Sequence, residues 1–117
     1  MKYMLLLRTN PETEPKEGSP ELDAEMARWG ALTQELQQSG VLIGGMGLDS
    51  ESTATTLRTP NGERVLTDGP FAETKELLFS FYVIDVPDLD AAVEWAAKMP
   101  NASYGSVEIR PLSPYEQ

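Results

Sequence analysis

The sequence predicts an α+β fold of the ferredoxin-like type, a split βαβ arrangement in which an antiparallel sheet carries two helices on one face. Three observations lead there. Segments follow one another as strand, helix, two or three strands, helix, strand. Both helical stretches carry recognisable start and stop residues. The first and the longest strand-like segments are apolar on both faces, so a sheet face stays bare after the helices have covered the other. A homodimer packed sheet to sheet is therefore expected.

The elements can be justified in chain order. Residues 2–8 alternate Tyr3, Leu5 and Leu7 with Met4 and Leu6, the period of a strand buried on both sides. Residues 10–20 are rich in Pro, Glu, Thr, Gly and Ser and read as a mobile acidic loop. Ser19, Pro20 and Glu21 then open a helix: an oxygen to cap free amides, a proline in the first turn, and an acid at the positive end. Leu22, Met26, Trp29, Leu32 and Leu36 form its apolar stripe; Gly30 weakens it, and Gly40 stands at a left-handed C-terminal cap.

Residues 41–48 form a second strand whose Gly44, Gly45 and Gly47 mark either a bulge, the preferred reading, or a close approach of other atoms. A threonine-rich third strand, 53–59, turns at Pro60, Asn61 and Gly62 into an antiparallel partner over 64–67. Residues 77–86 are the longest strand, with Leu77, Phe79, Phe81 and Val83 facing one way and Leu78, Tyr82, Ile84 and Val86 the other. Asp88 caps a second helix running to about residue 99, with Leu89, Ala92, Val93 and Ala96 inward and Pro100 ending it. Residues 106–110 make the last strand, before a short polar tail.

A length of 117 residues with 40% apolar content fits one domain, 1–117, with one core. Nineteen acidic against nine basic residues give a net charge of -10, which disfavours nucleic acid and anionic membranes, both bound mainly through Lys and Arg. Cysteine is absent, which excludes disulfides, thiolate nucleophiles and Cys-ligated metals and suits a reducing compartment. Histidine is absent too, so acid–base work falls to carboxylates, Lys or Tyr. The N-terminal apolar run is too short for a signal segment and nothing approaches a membrane span, so a cytoplasmic protein without cofactor or metal is expected.

The densest stretch is 67–76, TDGPFAETKE, where turn formers, an aromatic, three carboxylates and a cation join two strands. The run from Asp68 through Gly69, Pro70, Phe71, Ala72, Glu73, Thr74 and Lys75 to Glu76 resembles the signature of the DGPF branch of the YCII-related (YciI-like) domain family. Supporting stretches are MKYM at the start, GGMGL over 44–48, TATT over 53–56, YVID over 82–85, EWAA over 94–97 and SVEIRP over 106–111. Nearly the whole chain is covered. The resemblance implies a ferredoxin-like subunit forming a dimeric α+β barrel. It also implies a family largely uncharacterised, with some members found beside extracytoplasmic-function sigma factors and an activity assigned around a His–Asp pair. With no histidine in this chain, only Asp68 carries over as a candidate site residue.

Each candidate residue has a plainer role beside the functional one. Asp68 could act as a general base, or simply accept hydrogen bonds in an Asx turn. Phe71 is expected to plug the core. Glu73 and Lys75, two apart, share a face of extended chain and could serve as acid and electrostatic stabiliser, or as a surface ion pair. Arg58, Arg8 and Arg110 at strand ends suit an anionic ligand, though neighbouring acids could equally pair with them. Tyr82, with Tyr3, Trp29 and Met46, could line an apolar pocket or belong to the core. The expected function is a small-molecule binder, favouring an anionic organic ligand in a dimer cleft, with cofactor-free acid–base catalysis through Asp68. The alternative is a non-catalytic accessory or sensory protein acting through protein contacts, linked by the resemblance to sigma-factor regulation.

Overall fold

The computed structural model describes residues 1–117. Strand β1 (Lys2–Thr9) lies inside a four-stranded sheet, paired antiparallel with β5 (Leu77–Asp85) on one side and β6 (Ser106–Pro111) on the other. Strand β2 (Leu42–Gly47) adds to the far edge of β5, giving the order β2-β5-β1-β6. Between β2 and β5 the chain makes a separate hairpin, β3 (Thr55–Arg58) and β4 (Val65–Asp68). With that hairpin set aside as an insertion, the strand order is that of a ferredoxin-like split βαβ unit.

Helix α1 (Pro20–Ser39) starts where its residues dictate: the Ser19 hydroxyl accepts from the Leu22 amide at 3.1 Å, and Gly40 ends it at φ 76°. Helix α2 (Leu89–Ala97) is capped by Asp88, whose carboxylate accepts from the Ala91 amide at 2.9 Å. Both pack on the sheet face formed by Tyr3, Leu5, Leu7 and Ile84, completing a core with Leu32, Leu36, Val86, Ala92, Ala96 and Met99. Each large aliphatic side chain fully removed from water there contributes about 1.5–3 kcal/mol.

The inward stripes differ from expectation at three positions. Met26 is turned outward and Glu25 takes the buried position instead, because its carboxylate finds donors in Trp29 and Tyr104. On α2, Leu89 and Val93 face away while the small Ala92 and Ala96 meet the sheet, which lets the helix approach closely. The loop over 10–18, expected to be mobile, is tied down. The Asn10 carbonyl accepts from the Thr13 and Glu14 amides, and the Thr13 hydroxyl donates to the Tyr104 carbonyl at 3.3 Å.

Strand β5 carries an irregularity that sequence alternation concealed. Leu7 pairs with Ser80 and Arg8 with Leu78, so Phe79 is an extra residue, a β-bulge. Its ring turns to the helix side and meets Trp29 edge-on at 6.4 Å, rather than sharing a face with Phe81 and Val83. The glycines of β2 serve both expected purposes: the register shifts between Leu42 and Gly44, and a Cβ on Gly45 would lie 2.5 Å from the Phe81 carbonyl.

At the other edge, a Cβ on Gly105 would lie 2.1 Å from the Arg8 carbonyl oxygen. The fully buried Asn101 holds that junction, its amide donating to the carbonyls of Arg8 at 3.0 Å and Ser106 at 2.9 Å.

The second sheet face has no cover within the chain. Register places Met4 and Leu6 of β1 beside Val83 and Phe81 of β5, with Met46 of β2 next to Phe81. Met46 is 72% exposed, and the hairpin exposes Leu57, Val65 and Leu66. The radius of gyration is 16.3 Å, against about 13 Å for a compact chain of this length. The shortest dimension, 19 Å, is one sheet plus one helix layer. No helix is long and apolar enough to cross a membrane.

Gly105→Ala should lower unfolding stability by about 1–3 kcal/mol, because the new methyl must displace a backbone carbonyl. Asn101→Ala should cost about 1–3 kcal/mol by leaving buried carbonyls unpaired. Urea unfolding checks both, and a loss below about 0.5 kcal/mol in each would mean that the junction is not tight.

Candidate functional site

The hairpin returns to the sheet through the 67–76 stretch, and that return path encloses a cleft. Gly69, at φ 99°, donates its amide to the Ala54 carbonyl at 2.7 Å, and the Thr56 hydroxyl donates to the Gly69 carbonyl at 2.9 Å. These bonds pin the start of the loop to the base of the hairpin. On the other wall, the Leu48 amide donates to the Phe79 carbonyl at 2.8 Å, and Ser50 opens a short 3₁₀ turn, accepting from the Ser52 amide. Between residues 48–54, residues 69–78, Arg8 and Pro11 lies a cavity of about 860 Å³.

Charge in this cleft is mixed. Arg8 and Lys75 face it together with Asp49, Glu51, Glu73 and Glu76. Arg8 donates to Glu108 at 2.7 Å, and the far oxygen of Glu108 sits 3.9 Å from Arg110. Glu76 accepts from the Ser106 hydroxyl, which ties the loop to β6. Four carboxylates against two cations, one of them already paired, set a balance that disfavours a strongly anionic guest and suits hydroxyl donors.

The structure brings three of the sequence candidates together and separates the others. Arg8, Glu73 and Lys75 line the cleft. Glu73 and Lys75 make no ion pair, so both remain free for a guest. Asp68 ends β4 opposite Thr55, outside the cleft lining, and its carboxylate accepts no hydrogen bond, so neither the cleft base nor the Asx turn is realised. Arg58 pairs with Val65 on the hairpin, also outside. Arg110 stands on β6 opposite Met4. Tyr82 packs on the helix side against the core, where burial raises its phenol pKa above the usual 10.0. Phe71 is no core plug: it is 81% exposed and lies on the cleft wall.

A second polar group escaped sequence reasoning. Glu25 is 5% exposed, and its Oε2 accepts from the Tyr104 hydroxyl at 2.9 Å and from the Trp29 indole at 3.3 Å. Burial pushes the Tyr104 phenol well above its usual range, reinforced by the hydrogen bond to Glu25 and the nearby charges of Glu25 and Glu14. The only signal available in the sequence was an acid at helical spacing with Leu22, Trp29, Leu32 and Leu36, and Met26 masked it.

The family model for the YCII-related domain matches residues 1–116. The chain is 40% identical over 110 residues to an uncharacterised protein of Rhizobium meliloti strain 1021, covering 92% of this chain and 89% of that protein. Among solved structures it is similar to 5-chloro-2-hydroxyhydroquinone dehydrochlorinase from Burkholderia phenoliruptrix, in complex with 2,5-dihydroxybenzoquinone. There the TM-score is 0.51 at 12% identity, covering 97% of this chain and 94% of the other, which establishes likeness of fold.

The raised phenol pKa of Tyr104 has a sign. The unfolded chain releases that proton near pH 10 while the folded chain keeps it, so the stability it contributes is complete below pH 10 and is lost as pH rises beyond. Tyr104→Phe should cost about 1–3 kcal/mol at pH 7, the range for a part-buried hydrogen bond to a carboxylate. The variant should also flatten the alkaline fall in stability. Urea unfolding from pH 7 to 11 checks this, and parallel curves for the two proteins would refute it.

Proposed function

The chain belongs to the YCII-related domain family, and from that premise we propose that it is a cytoplasmic homodimer that binds a small oxygenated organic molecule in the cleft beside Arg8 and Lys75. The observation that carries the reading is the 860 Å³ cleft itself, which combines carboxylates able to accept from hydroxyl groups with two cations able to meet carbonyl or enolate oxygens. A single ring bearing both kinds of oxygen suits that charge balance and leaves room for substituents in that volume. The fold neighbour from Burkholderia phenoliruptrix was solved holding such a ring, which supports the choice of ligand class.

Proton transfer in this cleft would fall to Glu73, Glu76 or Lys75, with no cofactor needed, and Asp68 stands outside it. The dimer covers the bare sheet face: Met4, Leu6, Phe81 and Val83 form a continuous apolar strip across β1 and β5, of the kind soluble subunits bury. The alternative, an accessory protein working through contacts with a different protein, is favoured by one observation, the exposed Leu57, Val65 and Leu66 on the projecting hairpin.

Calorimetric titration at neutral pH with 4-hydroxyacetophenone, a ring that carries a hydroxyl and a carbonyl and is mostly uncharged there, should show saturable binding, weakened about tenfold or more in Arg8→Gln and Lys75→Met, each of which removes a charged contact. Arg58→Ala and Asp68→Asn, outside the cleft, should bind as wild type does. Equal losses in the hairpin variants, or no saturable binding, would overturn the site assignment.

Light scattering after size exclusion should give the mass of two chains, and Leu6→Lys with Phe81→Glu should give one. A wild-type monomer at micromolar concentration would refute the dimer. A stoichiometric heterologous partner recovered on the hairpin, with no ligand binding, would favour the accessory role.

A further inference from the structure

The floor of the cleft is part of the uncovered sheet face. Arg8 follows Met4 and Leu6 at every second position of β1, and its cross-strand neighbour Leu78 lies in line with Phe81 and Val83 across the bulge. Both Arg8 and Leu78 line the cleft. The cleft therefore opens in the direction that this face looks, and whatever covers the apolar strip stands at its mouth. Its own walls do not enclose a guest: Phe71, Glu73 and Lys75 on one side and Asp49, Ser50 and Ser52 on the other are all exposed. A small-molecule site commonly buries roughly 70–90% of its ligand, so this cleft lacks a wall.

Charge points to a second copy of this chain as that wall. Along the face, Lys2, Arg8 and Arg110 stand against Asp85 and Glu108, a surplus of one positive charge on a chain whose net charge is -10. Over the rest of their surface two copies repel each other, whereas here acids are outnumbered. The face is also self-complementary, as a two-fold contact requires: it offers an apolar strip to an identical strip, and Glu108 with the largely exposed Arg110 to their own counterparts. A copy laid over the cleft brings its surplus of cations toward the four carboxylates there.

Resting on the cleft assignment above, we propose that a second copy of the chain closes the cleft, so that the ligand is held between two subunits and ligand binding and self-association strengthen each other by the same factor. A lone chain keeps Arg8 and Lys75 in place but leaves one side of the ligand in water.

Sedimentation of the full chain over a dilution series, with and without 4-hydroxyacetophenone, tests this. If only the dimer binds, at one site per subunit, ligand at ten times its dissociation constant should tighten the dimer about a hundredfold. Met4→Lys, four residues and so about 13 Å from Arg8, should weaken the dimer and with it ligand binding at least tenfold, although it leaves every cleft residue in place. Should Met4→Lys stay dimeric or not fold, the wild-type series decides alone. A dimer whose dissociation ignores the ligand, or a folded Met4→Lys monomer that binds as the wild type does, would overturn the shared site while leaving the cleft assignment standing. No saturable binding by the wild type would instead remove the cleft assignment, and this proposal with it.

Discussion

Gly105 passes the carbonyl of Arg8 so closely that a Cβ would have no room, and Asn101 is bonded to that carbonyl and to Ser106. This junction helps to position the cleft and the Glu25–Tyr104 pair alike. It brings β6 alongside β1, so that Glu108 can hold Arg8 and Ser106 can hold Glu76. It also sets Tyr104, the residue before Gly105, where its hydroxyl reaches Glu25 on α1. A backbone approach this close admits no side chain, and the orphaned carbonyl it creates needs a donor. Glycine and asparagine meet those two needs.

A second constraint is the single helix layer. Two helices on one side of the sheet bury Tyr3, Leu5 and Leu7 and leave Met4 and Leu6 without cover. That arrangement produces a thin, wide molecule and leaves 13 of 117 residues buried. The hairpin inserted between β2 and β5 adds reach rather than core. Its return path encloses the cleft, in which four carboxylates face two cations.

Much of the fold was legible in the sequence because local rules state it directly. Ser19, Gly40 and Asp88 cap helices through bonds to their own neighbours, and Asn61 with Gly62 turns the hairpin through positive φ. The candidate site was only half legible. Arg8, Glu73 and Lys75 were found by chemical type and do share the cleft, whereas Asp68, the leading candidate, and Arg58, Arg110 and Tyr82 lie elsewhere. Strand ends look alike in sequence, and which of them converge depends on the register between strands far apart in the chain.

What the sequence determined by itself was the element order, the caps, the family motif and the exclusion of imidazole and thiol chemistry, since each depends on a residue and its near neighbours. Tertiary structure alone decided which of Glu25 and Met26 would be buried, which way Phe79 would turn, and whether Phe71 would plug the core or stand on the cleft wall. The reason is common to all three. A helix position one step off the stripe, a bulged residue and a loop ring each have two nearly equal local choices. The balance is tipped by parts of the chain far off in sequence: Tyr104 for Glu25, Trp29 for Phe79, and for Phe71 the cleft it shares with residues 48–54.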